Sequence, residues 1–124
     1  MKRYLYFLLF CLWPICSMGQ RISYIETTSS WYIVYDENGK RLRSFSTSQG
    51  TLVTYSSEFY IIRVGNSWYY TYDASGRRLH TFSVSATGEI LSASGDTFTS
   101  RLGSWVYTWT KDGKRIATRS ASLR

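Results

Sequence analysis

The chain has 124 residues, with 15 lysines and arginines against 8 acidic residues, and 18% of its residues are aromatic. This length suits a single domain, and the ordinary share of apolar residues excludes a mainly disordered chain. Two cysteines and one histidine are too few for a zinc cluster or a disulfide framework. We therefore expect a folded domain that needs neither a metal nor a cofactor.

The first nineteen residues are typical of an export signal. Lys2 and Arg3 precede a ten-residue apolar run, Tyr4 to Trp13, which is short of the roughly 18 residues that would span a bilayer. We predict a signal peptide over residues 1–19 and an exported, periplasmic or extracellular domain over residues 20–124, with no membrane span. Cleavage would remove both cysteines and lower the formal net charge from +7 to +5.

A unit of about 37 residues occurs three times in the predicted mature chain. Residues 30–46 are identical to residues 67–83 at ten of seventeen positions, and residues 67–83 are identical to residues 104–120 at eight. Such self-similarity predicts a repeat fold, with repeats at about 20–49, 50–86 and 87–124. The residues that keep the spacing include Trp31, Trp68 and Trp105, and Gly39, Gly76 and Gly113.

Each repeat has the pattern of an antiparallel β-meander. A run of aromatic and β-branched residues is followed by a glycine-containing turn and a second strand, because glycine readily supplies the positive φ that a tight hairpin needs. We predict hairpin turns at Gly39, Gly76 and Gly113. The eleven predicted strands, grouped as three, four and four, are Ile22 to Ile25, Trp31 to Tyr35, Arg41 to Phe45, Thr51 to Tyr55, Phe59 to Val64, Trp68 to Tyr72, Arg78 to Phe82, Glu89 to Ala93, Thr97 to Leu102, Trp105 to Thr110 and Arg115 to Arg119.

The aromatic strand of each repeat has two distinct sides, because successive side chains of a strand point in opposite directions. We predict that the side beginning with tryptophan forms the core, so that Trp68→Ala would cost about 3–5 kcal/mol. Tyr32 and Tyr69 point to the other side and are candidates for ligand contact, with surface exposure or packing between repeats as the alternative. The predicted core set is Trp31, Trp68, Trp105, Tyr35, Tyr72 and Trp109.

The stretch from Glu89 to Ser100, continued by Gly103-Ser104-Trp105 and by the turn from Asp112 to Ile116, resembles a blade of a β-propeller. The resemblance implies four-stranded antiparallel sheets that stack face to face. Propellers typically close with four to eight blades, and this chain offers just under three. We predict an all-β fold in an open, propeller-like arc that self-associates; a closed threefold β-trefoil or β-prism is the alternative.

Basic pairs follow the three predicted turns. A row of such pairs could bind an anionic surface polymer, and for an exported protein we favour a glycan over nucleic acid. The same residues could instead keep exposed strand edges from pairing with one another. The pairs are Lys40 and Arg41, Arg77 and Arg78, and Lys114 and Arg115.

Catalytic signatures do not occur in the predicted mature sequence, which has no nucleophile elbow, phosphate-binding loop or dinucleotide fingerprint. We predict a non-catalytic module that binds extracellular or envelope glycans or other anionic ligands. The alternative is an assembly protein that acts through self-association or through an envelope protein partner.

Overall fold

The computed structural model describes residues 21–120, and the predicted signal peptide lies outside the described residues. The fold is all-β, with eleven strands in three antiparallel sheets. Sheet 1 contains β1 (Tyr24–Thr27), β2 (Trp31–Tyr35) and β3 (Arg41–Ser46); sheet 2 contains β4 (Thr51–Tyr55), β5 (Phe59–Val64), β6 (Trp68–Asp73) and β7 (Arg78–Ser83); sheet 3 contains β8 (Glu89–Ser94), β9 (Thr97–Leu102), β10 (Trp105–Thr110) and β11 (Arg115–Ser120).

The number of strands and their grouping confirm the predicted meanders. Strands that are consecutive in the sequence are neighbours in each sheet. The first strand is displaced, because β1 begins at Tyr24 and Ile22 lies just before it, buried and donating its main-chain N–H to the Ser57 carbonyl at 2.9 Å.

Two single helical turns were not predicted. They occupy Thr47–Gln49, in 3-10 geometry, and Val84–Thr87, here α1. Each follows an N-cap serine, Ser46 or Ser83, whose hydroxyl accepts a main-chain N–H two residues later. One turn is too short to produce a helical period in the sequence, so these turns were visible only in the structure.

The predicted hairpin turns form with the expected backbone. At the second turn the Asp73 carboxylate accepts the main-chain N–H groups of Ser75 (3.0 Å) and Arg77 (2.9 Å). Burial pushes the pKa of Asp73 upward, but hydrogen bonds from Ser75 and the main chain outweigh it and hold that pKa below its ordinary value. The turn glycines have φ of +79° (Gly39), +92° (Gly76) and +105° (Gly113).

The core consists of two clusters on opposite faces of sheet 2. Successive residues of β5 serve different clusters: Tyr60 and Ile62 pack towards sheet 1, whereas Phe59 and Ile61 pack towards sheet 3. The sheets therefore form an open stack, and none closes into a barrel. A closed β-trefoil or β-prism would instead surround one common core. The first cluster contains Ile22, Ile25, Tyr32, Val34, Phe45, Tyr60, Ile62 and Ala74, and the second contains Phe59, Ile61, Tyr69, Phe82, Ile90 and Phe98.

Each later hairpin turn packs on the sheet before it. Arg43 of β3 donates a hydrogen bond from Nη1 to the Ser75 carbonyl at 3.2 Å, and its guanidinium fills the space where a Cβ of Gly76 would lie. One repeat later, the His80 ring lies in the same way against Gly113. These repeated contacts connect neighbouring sheets through the turns.

The expected burial of the tryptophans is wrong. Trp31, Trp68 and Trp105 are 49%, 46% and 49% exposed, whereas Tyr32 and Tyr69 on the other side are only 7% and 4% exposed. Trp31 lies on the outer face of sheet 1, and Trp68 and Trp105 are the first residues of their strands, where the preceding sheet does not cover them fully, so strand alternation alone does not identify the buried residues. Of the remaining predicted core residues, Tyr72 and Trp109 pack against the clusters, and Tyr35 is half-buried and stacks on Tyr24.

Alkaline pH should weaken the core at Tyr60. Burial raises the pKa of this hydroxyl from 10.0 to about 12. Because the folded pKa is the higher one, the contribution to stability is complete below the unfolded pKa and is lost as pH rises towards about 12. We expect the free energy of unfolding, measured with urea at several pH values, to fall across this range. Tyr60→Phe should reduce that fall, and an equally steep fall in this variant would contradict the role of Tyr60.

Candidate functional site

The three exposed tryptophans occupy equivalent places, each between two serines. Trp68 begins β6, follows Ser67 in the chain and lies opposite Ser83 of β7. The same arrangement surrounds the first residues of β2 and β10. We call these groups the tryptophan sites: Ser30, Trp31 and Ser46; Ser67, Trp68 and Ser83; and Ser104, Trp105 and Ser120.

A surface depression of about 290 Å³ adjoins Trp68. Its polar groups are hydroxyls and one amide, and the hydroxyls of Ser83 and Ser85 lie 2.7 Å apart. An aromatic ring is thus bordered by groups that both donate and accept hydrogen bonds. The lining residues are Asn66, Ser67, Trp68, Ser83, Val84 and Ser85.

A larger cleft of about 540 Å³ adjoins this depression, with Asn66 in both walls. The cleft extends from Asn66 and Arg63 to Thr47, in the helical turn that connects sheet 1 to sheet 2. Arg63 donates to the Asn66 Oδ1 atom at 3.2 Å and to the Gly65 carbonyl at 3.2 Å. This contact orients the Asn66 amide and leaves its NH₂ group without a hydrogen-bond partner among residues 21–120.

The predicted basic pairs divide between two environments. The first member of each pair lies in a hairpin turn and is exposed, and Arg77 there forms an ion pair with Asp73 at 3.5 Å. The second member begins the outermost strand, on the same face as the tryptophan. The Arg78 guanidinium carbon lies 4.7 Å from the centre of the Tyr70 ring, and Arg115 lies at the same distance from Tyr107. The turn residues are Lys40, Arg77 and Lys114, and the strand residues are Arg41, Arg78 and Arg115.

The strand arginines keep their hydrogen-bonding capacity. Within residues 21–120, the guanidinium groups of Arg41, Arg78 and Arg115 make no hydrogen bond and no ion pair. All three are exposed. A guanidinium stacked on an aromatic ring still presents its N–H groups at the rim, where they can bind a carboxylate, sulfate or phosphate.

The other predicted contact residues, Tyr32 and Tyr69, are buried between sheets. The Tyr32 hydroxyl accepts the main-chain N–H of Leu52 at 3.0 Å, which ties sheet 1 to sheet 2. The serines of the tryptophan sites were missed in the sequence, although they follow the same 37-residue spacing as the tryptophans. That spacing was the signal that could have found them.

Among residues 21–120, no three His, Cys, Asp or Glu side chains are grouped so that they could hold a metal ion. The helical segments of the same region include none long and apolar enough to cross a membrane. No protein-family model and no curated protein sequence matches the chain.

Proposed function

We propose that the protein is an exported, non-catalytic module that binds glycans carrying acidic groups. The observation that carries the proposal is the tryptophan site, in which a half-exposed ring lies between two serines. It occurs three times at equivalent positions. A large exposed aromatic ring is costly to leave in water, so its presence in every repeat favours a role in contact with a ligand.

Sugars match this kind of site chemically. The C–H face of a pyranose ring is apolar and stacks on an aromatic ring, while its hydroxyls need donors and acceptors at the edge. Trp68 supplies the ring and the surrounding serines supply the polar groups. The depression of about 290 Å³ has room for one sugar unit, and the adjoining cleft has room for the next.

The arginines favour acidic sugars within this class. Arg78 and Arg115 are exposed on the same faces as Trp68 and Trp105, towards the other end of the strand, and have no carboxylate partner in the described part of the chain. The predicted mature chain carries a formal net charge of +5, which draws polyanions to its surface. Uronic acid, sulfate and phosphate groups share the geometry that guanidinium binds.

Export is the part of the proposal that depends on the N-terminal sequence. The basic start and the apolar run over Tyr4 to Trp13 support secretion. An exported protein meets polysaccharides of the envelope and of the surroundings, in the periplasm or outside the cell.

Removing a tryptophan should weaken glycan binding. With polygalacturonate as the probe, we expect Trp68→Ala to raise the dissociation constant at least about tenfold, because the stacked ring is lost. Isothermal titration calorimetry at low salt measures the change. Leu91→Ala is the matched control, since it removes another exposed apolar side chain that lies away from the tryptophan sites.

Arg78→Gln separates the acidic preference from sugar binding itself. It should weaken binding of polygalacturonate and reduce the salt dependence, while leaving a neutral glycan such as pullulan unaffected. Equal losses for Leu91→Ala and Trp68→Ala, or no binding of any glycan by the unmodified protein, would contradict the proposed function.

A further inference from the structure

Within residues 21–120, the two ends of the stack leave one face of sheet 1 and one face of sheet 3 without a neighbouring sheet. On the outer face of sheet 1, Tyr24 is 53% exposed and stacks on Tyr35. The strand registers make Tyr60 and Phe98 the equivalents of Tyr24 in sheets 2 and 3. Both are only 1% exposed, because the preceding sheet covers them. The matching faces of sheets 2 and 3 are thus covered by another sheet, whereas the outer face of sheet 1 exposes Tyr24.

A ring contact recurs at both internal interfaces. Phe45 of sheet 1 meets Tyr60 of sheet 2 with ring centres 5.0 Å apart, and Phe82 of sheet 2 meets Phe98 of sheet 3 at 5.1 Å. The phenylalanine always comes from the outermost strand of the earlier sheet, opposite Tyr32 or Tyr69. In sheet 3 the equivalent position, opposite Val106, is Arg119.

The outer face of sheet 3 has lost part of the apolar character of the matching inner faces, although Ile116, at the position of Leu79, is 52% exposed there. By strand register, Thr97 and Thr99 stand where sheet 2 has Phe59 and Ile61, and Arg119 stands where it has Phe82. A polar outer face is what the last unit of a repeat stack needs in order to stay in water.

The outer face of sheet 1 carries groups that complement Arg119. Glu26 occupies the position that is Ile62 in sheet 2, and its carboxylate accepts the Tyr35 hydroxyl at 3.1 Å. Inside one chain, a phenylalanine of one sheet meets an aromatic ring of the next sheet. Between two copies, the equivalent pair would be Arg119 of one copy and Tyr24 of the other, with Glu26 next to Tyr24. Such a pair combines stacking of a cation on a ring with charge attraction.

We propose that two copies of the chain associate head to tail, with sheet 1 of each copy packed on sheet 3 of the other. Both interfaces of this dimer are the same head-to-tail contact, and a closed pair, unlike a filament, leaves no end sheet unpaired. The dimer would hold six sheets, within the range in which propeller-like rings close. Trp31 would stay accessible to a ligand in this dimer. Its equivalents Trp68 and Trp105 are half-exposed even though a neighbouring sheet covers their faces.

Light scattering of the protein at micromolar concentration tests the proposal. We expect twice the mass of one chain for the unmodified protein and the mass of one chain for Arg119→Glu, with the far-ultraviolet circular dichroism unchanged because Arg119 is exposed. Adding Glu26→Arg to Arg119→Glu exchanges the charges and should restore the double mass. Lys114→Glu, which changes an exposed cation in a turn, should leave the dimer intact.

Several results would overturn the proposal. One is the mass of a single chain for the unmodified protein. Another is a dimer that Tyr24→Ala disrupts and Arg119→Glu does not, since two copies would then meet through sheet 1 alone. A mass that keeps growing with concentration would exclude the closed pair.

Discussion

Replacing Phe59 by alanine is expected to lower the free energy of unfolding by about 3–5 kcal/mol. Phe59 is fully buried between sheets 2 and 3, with its ring 6.2 Å from that of Phe98. The truncation would leave a cavity in the cluster that joins the two sheets, and the rigid pairing of β5 with both neighbouring strands limits collapse into it. Urea denaturation followed by tryptophan fluorescence measures the loss.

Trp68→Ala is the matched comparison, because it deletes an even larger ring at a half-exposed position. We expect this variant to lose about 1 kcal/mol or less, since much of the ring already contacts water. This reverses the expectation of about 3–5 kcal/mol that the sequence pattern suggested for Trp68. If Trp68→Ala proved as destabilising as Phe59→Ala, the assignment of exposed and buried faces would be wrong.

Gly88→Ala is expected to destabilise the fold by about 3 kcal/mol or more. Gly88 follows α1 with φ +78° and ψ −155°, a conformation that is almost confined to glycine. In addition, a Cβ at this position would collide with the main-chain carbonyl of Arg101 in β9. The variant must therefore both strain its own backbone and displace the strand next to β8.

Gly103→Ala separates these two effects. Gly103 also has a positive φ, +62°, but no atom lies within 4 Å of the place where its Cβ would be. We expect this variant to lose only about 1–2 kcal/mol, the cost of the left-handed backbone alone. Thermal unfolding followed by circular dichroism should rank Gly88→Ala well below Gly103→Ala, and the opposite order would contradict the close approach of β9 to Gly88.

The strands and turns could be predicted because their causes are local. Asp73 and Gly76 form a turn whose hydrogen bonds join residues no more than four apart, and the strands on either side alternate in character over five or six residues. Repetition made these signals stronger, since the same chemistry appeared at three places. The helical turn at Val84–Thr87 escaped because four residues carry no measurable period.

The candidate site was predicted only in part. The arginines at 41, 78 and 115 were recognised, and the structure places each on the same face as a tryptophan. The tryptophans themselves were assigned to the core, whereas for Tyr69 ligand contact, surface exposure and packing between repeats were all left open. Size and apolarity favour burial for either ring, so these properties could not distinguish them.

Three copies of one meander could be predicted to fold into antiparallel sheets with glycine turns, because these features depend on neighbours along the chain. Which residues of each strand meet water depends on how the sheets pack. Tyr69 lies where sheet 3 covers sheet 2, whereas Trp68 stands at the end of its strand beyond the packed area. Burial depends on the sheet that arrives from another repeat, and no pattern within one strand records where that sheet ends.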